Sequence, residues 1–251
     1  MGLSEPNPKM SRIVGALVLF GLAFGYVEGA VVVDLRALYD PLHQRLYPEV
    51  AVDDLFPLIT LDQLRAEGAG HTRRLVAELI REGATLVMLA AVPCLFARNV
   101  YQWVAGFMIG FGVWDLAYYA TLKLLLDWPA SWLTWDILFL LPVPWSGPVL
   151  APVLVSCSII AAGLVILRRE SQERPIRLRV GHWAAILLGG LIVILSFCWE
   201  ARSVASGVRP GSYPWWILGA GEFIGLSAFC LGLRNRSAFD PPAVFENARS
   251  A

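Results

Sequence analysis

Apolar runs of about twenty positions, the length of one bilayer crossing, alternate with short polar connections along most of the chain. Read this way, the pattern predicts helices over 13–34, 74–97, 101–126, 147–167, 180–199 and 214–233. A further apolar stretch, from Ser131 to Trp145, contains Trp132, Trp135 and Trp145. With about fifteen residues it would cover only roughly 22 Å of a hydrocarbon layer about 30 Å thick. It is therefore expected to be re-entrant or interfacial, with a fixed turn at Pro142 and Pro144, where a helix would lose a donor. The expected fold class is all-α: a polytopic membrane protein with six transmembrane helices and this one shorter segment, in a single transmembrane domain over 13–234.

Between the first two spans lies a polar connection, 35–73. Thr60 followed by Gln63 has the form of a capping box, and Leu61 with Leu64 forms a short apolar stripe. These predict a surface helix over 61–67, ended by Gly68 and Gly70. The first apolar run is longer than a secretory signal core and should be retained as a helix.

Charge sets the orientation. The connection 168–179 holds Arg168, Arg169, Arg174, Arg177 and Arg179, and Lys9, Arg12, Arg98, Arg234 and Arg236 fall on the same side. The excess of positive charge places this side in the cytoplasm, together with residues 1–12 and the tail 235–251. The connection 35–73 then faces outward with Asp40, Glu49, Asp53, Asp54, Asp62 and Glu67, just past Asp34. This layout implies the inner membrane of a bacterium.

Composition agrees. The 251 residues are 57% hydrophobic and 16% charged, against about 25% charged in soluble domains. The formal net charge of zero argues against a nucleic-acid partner. The expected partners are the lipid bilayer and either a second copy or another subunit of a membrane complex. Cys94, Cys157, Cys198 and Cys230 lack the paired spacing of a zinc or redox site and read as packing residues.

The candidate chemistry lies in the ionisable residues that interrupt the apolar runs: Glu28, Glu78, Arg81, Glu82, Asp115 and Glu222. A carboxylate in hydrocarbon is costly unless it faces water, a counter-charge or a metal, so each marks a candidate site. By depth, all five carboxylates fall in the outer half or at the midplane, which predicts an outward-facing cavity between the first, second, third and sixth spans. Glu78 and Glu82, four apart, share a helix face beside Arg81. Asp115, Tyr118 and Tyr119 share another, and Asp136 in the aromatic stretch could reach the same place. Glycines at four-residue spacing, Gly21, Gly25 and Gly29, Gly106 and Gly110, and Gly221 and Gly225, predict close helix approaches.

Three functions fit these residues. One is a membrane enzyme or ligand-binding protein using a divalent metal ion, with Glu78, Glu82 and His71 as candidate ligands. Another is a small proton- or cation-coupled transporter, and the third is a structural subunit of a membrane complex. The chain lacks HExxH, GxSxG and P-loop motifs, and the sixth span has no lysine for a retinal Schiff base. His43 lies in the same external connection as His71, whereas His182, at the cytoplasmic start of the fifth span, stands most of the bilayer away from His71, so those two cannot hold one haem.

Overall fold

The computed structural model describes residues 8–51, 54–172, 176 and 178–234. Residues 1–7, Asp53, Arg174, Arg177, Arg236 and the tail 235–251 lie outside the described residues. The chain is mostly helical: α1 (Pro8–Leu46), α2 (Leu61–Ala66), α3 (Ala69–Ala91), α4 (Val100–Leu126), α5 (Leu150–Ser171), α6 (Val180–Phe197), α7 (Ala201–Ala205) and α8 (Trp215–Arg234). Five of them, α1, α4, α5, α6 and α8, are long and apolar enough to cross a membrane. Their outer surfaces carry exposed large apolar residues such as Leu19, Leu124, Leu187 and Phe223. Apolar side chains facing outward mark a multipass membrane protein, for which lipid is the solvent.

α1 runs well past its expected end at residue 34 and includes Pro41. Its 39 residues make a rod roughly 58 Å long at 1.5 Å per residue. The onset of charge at Asp34 marks where an apolar run stops, but Asp34, Arg36 and Asp40 do not break a helix. α2 forms where the capping box predicts it, with Thr60 Oγ1 accepting from Gln63 N at 3.3 Å and Gln63 Oε1 accepting from Thr60 N at 2.8 Å. α3 starts and stops earlier than expected. Gly68 turns the chain at φ 114°, and Pro93, which has no N–H to donate, sits in a 3₁₀ turn over Val92–Leu95. At the start of α4, Asn99 caps the helix by accepting from Gln102 N at 2.9 Å.

The stretch 131–145 contributes to an antiparallel hairpin of β1 (Trp135–Phe139) and β2 (Trp145–Pro148), the only strands among the described residues. Asp136 pairs with Gly147 and Phe139 with Trp145, with an irregularity between Ile137 and Phe139. The hairpin is wedged among the helices. Phe139 lies against Phe111 and Trp114 of α4, and Trp145 stacks on Phe197 of α6.

Both ends of the described chain meet at one end of the bundle. Leu17, Ala105, Ile109, Ile166, Leu167 and Ile176 form a core there, flanked by Met10, Phe229 and Leu233. At the other end, Tyr213, Phe197 and Leu218 pack with Ala151 and the hairpin, and Leu122, Tyr119, Trp128 and Val149 form a third cluster. α1 packs closely along α4, α4 on α5, and α6 on α8. The segment between α1 and α2 folds back over this second end, held by His43 Nε2 on Pro57 O at 2.8 Å. From the far side Arg209 Nη2 reaches Asp54 Oδ2 at 2.7 Å and Phe56 O at 2.9 Å.

The α1–α4 seam depends on glycine. A Cβ at Gly25 would lie 2.5 Å from Trp114 O and 2.6 Å from Ala117 Cβ, so no larger residue fits without parting the helices. Gly110, by contrast, has no atom within 4 Å of an added Cβ. Gly25→Val should therefore lower stability by about 1–3 kcal/mol, the usual cost of overpacking. Gly110→Ala should raise it by roughly 0.5–1 kcal/mol through helix propensity. Thermal unfolding of the two variants in detergent checks the contrast.

Candidate functional site

α1, α3, α4 and β1 surround a cavity of about 260 Å³ at the hairpin end of the bundle. α1 reaches it through one helical face, on which Glu28, Val32, Arg36, Tyr39 and His43 follow at steps of three or four residues. α3 contributes Arg74, Glu78, Arg81 and Glu82, α4 contributes Trp114, Asp115, Tyr118 and Tyr119, and β1 contributes Asp136.

Arg81 joins the first two walls. Its Nε donates to Glu78 Oε2 at 2.9 Å and its Nη2 to Glu78 Oε1, while Nη1 donates to Glu28 Oε2 at 2.6 Å. The planar guanidinium grips Glu78 with two parallel bonds and still has a donor for Glu28, a geometry lysine cannot match. Glu82, on the next turn of α3, is held differently. Both its oxygens accept from the Leu140 backbone N–H, at 3.1 and 3.0 Å.

Asp115 Oδ2 accepts from Ser156 Oγ of α5 at 2.8 Å. Asp136, 1% exposed, accepts from the Tyr119 hydroxyl at 3.1 Å and lies 4.0 Å from Arg36 Nη2. Arg36 also lies over the Trp128 ring, 4.0 Å from its centroid. Burial pushes the Asp136 carboxyl up to about 6, against the opposing pull of Arg36 and the Tyr119 hydroxyl. Two donors of the lining, Arg36 Nη2 and Trp114 Nε1, are buried without a hydrogen-bond partner.

Of the residues singled out from the sequence, Glu28, Glu78, Arg81, Glu82, Asp115, Tyr118, Tyr119 and Asp136 line this one cavity. Glu222 does not; it lines a second cavity, between α4, α5, α6 and α8. Its depth along α8 matches the others, but α8 pairs with α6 and stands away from α1 and α3. His71 lies on the first turn of α3 with its ring 5.8 Å from that of Tyr39, outside the cavity lining. The candidate metal set of Glu78, Glu82 and His71 is not assembled. Arg81 holds both oxygens of Glu78, and no three His, Cys, Asp or Glu side chains among the described residues are placed to hold a metal ion.

Arg36, Asp40, His43, Arg74, Trp114 and Ser156 join the site without being marked by an interrupted apolar run. Those on α1 could have been found by continuing the helical period of Glu28 past Asp34. Trp114 and Ser156 carried no signal apart from their neighbours.

Comparison against family models, curated proteins and solved structures finds no match to this chain in any of the three.

Replacing Arg81 with leucine leaves two carboxylates facing each other in an apolar bundle. Stability should fall by about 3–5 kcal/mol, as when a buried pair loses one partner. The triple replacement Glu28→Gln, Glu78→Gln, Arg81→Leu should recover most of that loss. Unfolding midpoints in detergent measure both.

Proposed function

We propose that this chain is a small proton-coupled transporter that binds an organic ammonium solute in the carboxylate-lined cavity and exchanges it for protons. The observation that carries this reading is the division among the carboxylates. Arg81 pairs with Glu28 and Glu78, whereas Glu82 and Asp115 are hydrogen-bonded by neutral donors, the Leu140 N–H and the Ser156 hydroxyl. A carboxylate held by a neutral donor in an apolar bundle can become neutral by taking a proton or by meeting a cation, and cannot do both at once. Competition between proton and cation for the same oxygens is the chemistry of exchange.

The aromatic lining fits an ammonium group. Tyr39, Trp114 and Tyr118 stand around the same space, and quaternary ammonium groups favour aromatic faces. The unmatched donors Arg36 Nη2 and Trp114 Nε1 complement an oxygen acceptor on the same solute. The metal-dependent reading loses support where Arg81 occupies Glu78.

In this reading the chain crosses the bilayer six times. α3, 23 residues long, is the sixth crossing, tolerated despite its charges because Arg74, Glu78, Arg81 and Glu82 line the cavity and the exposed Arg73 lies near the helix end. The β1–β2 hairpin is the re-entrant segment. The arginine-rich end, which gathers both ends of the described chain, is cytoplasmic, so the cavity opens to the exterior of a bacterial inner membrane.

Tetramethylammonium, which carries no titratable proton, is a clean probe. Added to purified protein in weakly buffered detergent, it should release protons, and its affinity should rise with pH, because an ionised carboxylate binds a cation and a protonated one does not. Glu82→Gln and Asp115→Asn should each weaken binding by roughly tenfold, as for the loss of one charge-assisted contact, and reduce the pH dependence, which the double variant should lose. In proteoliposomes an acid interior should drive uptake of the labelled cation. Unchanged pH dependence in both variants would defeat the reading.

A further inference from the structure

The second cavity, about 470 Å³, separates the α6–α8 pair from α4 and α5. α6 and α8 lock together through glycine, where a Cβ on Gly189 would lie 2.7 Å from Gly221 O, but neither packs comparably on α4 or α5. The space lies between four helices that are each long and apolar enough to cross a membrane. Apolar clusters close it at both ends of the bundle. Its walls are apolar residues such as Phe107, Ile159 and Ile194, with two carboxylates, Asp115 and Glu222. Ser156 donates to Asp115, and Ser158 lines the cleft with Glu222.

Two features show that this gap is more than a loose seam. Gly190 and Gly225 both line it, yet a Cβ built on either meets no atom within 4 Å, so neither glycine is required by helix packing. Larger residues there would fill the gap and gain contacts. Further, Asp115, Leu138 and Phe139 line this cleft and the polar cavity alike. A molecule seated against Asp115 therefore has charged and aromatic groups on one side and hydrocarbon walls on the other.

We infer that the solute is an amphiphile, its ammonium head held between Glu82 and Asp115 and its single alkyl or prenyl chain laid in the cleft between α4–α5 and α6–α8. This rests on the ammonium reading of the polar cavity and specifies its substrate class. Glu222, which the exchange chemistry does not use, lies against the chain-binding space beside Ser158.

The test uses the full chain in lipid nanodiscs and a long-chain alkyltrimethylammonium with a photoactivatable diazirine in its chain, with the alcohol of the same chain as control. Crosslinks mapped by mass spectrometry should fall on the cleft, at Ile159, Val193 and Ile194, for the ammonium and much less for the alcohol. Gly190→Leu should cut cleft labelling by about tenfold, the loss expected when two methylenes are displaced from an apolar site. It should leave tetramethylammonium binding unchanged. Gly225→Leu repeats the test from the opposite wall and should give the same result.

Labelling spread over lipid-facing positions such as Leu187 and Leu124, and unaltered by either variant, would overturn the chain site. If tetramethylammonium still released protons, the exchange reading would survive that failure. Equal cleft labelling by ammonium and alcohol, with no proton release, would overturn the ammonium head and the exchange reading together.

Discussion

One guanidinium makes the rest of the polar interior tolerable. Without Arg81, Glu28 and Glu78 would place two carboxylates opposite each other between apolar helices, at a cost that neither packing nor a few hydrogen bonds offset. With it, α1 and α3 are joined through charge, where the other helices meet through glycine and apolar contact. The arrangement also explains the composition of α3. From Leu75 onward its charged residues Glu78, Arg81 and Glu82 all line the cavity, so a helix with an ordinary charge content can pack beside far more hydrophobic ones.

Because Arg81 is committed, the cavity's reactivity passes to the carboxylates it does not bind. Glu82 lines the cavity from α3, Asp115 from α4 and Asp136 from β1. Each is held by a different kind of donor: a backbone N–H, a serine hydroxyl, and a tyrosine hydroxyl with a more distant arginine. Three acids thus share one cavity on three different hydrogen-bonding supports.

Much of this was legible in the sequence, for physical reasons. The cost of a buried charge made Glu28, Glu78, Arg81, Glu82 and Asp115 conspicuous, and helical spacing grouped Asp115 with Tyr118 and Tyr119. The capping box of α2 read directly because its bonds are local. What did not read was direction. Depth along α8 could be counted for Glu222, but whether α8 faced α1 or α6 depended on long-range packing. The end of α1 was misplaced because hydropathy reports where an apolar run stops, not where backbone hydrogen bonding stops. That cost the identification of Arg36, Asp40 and His43. The hairpin was missed as strands because a short aromatic run with prolines carries no clean period, and its conformation is settled by the helices that enclose it.

Arg209 gives the architecture a last consequence. It stands in the connection after α7, leading into α8, and reaches across to Asp54 and the Phe56 carbonyl in the segment above the polar cavity. The covering of the mouth is thus tethered to the helix pair on the far side of the apolar cleft. Gly207 adds a second point of attachment, since a Cβ there would lie 2.8 Å from Thr60 Cγ2, so the polar and apolar compartments share one common brace although their walls belong to different helices.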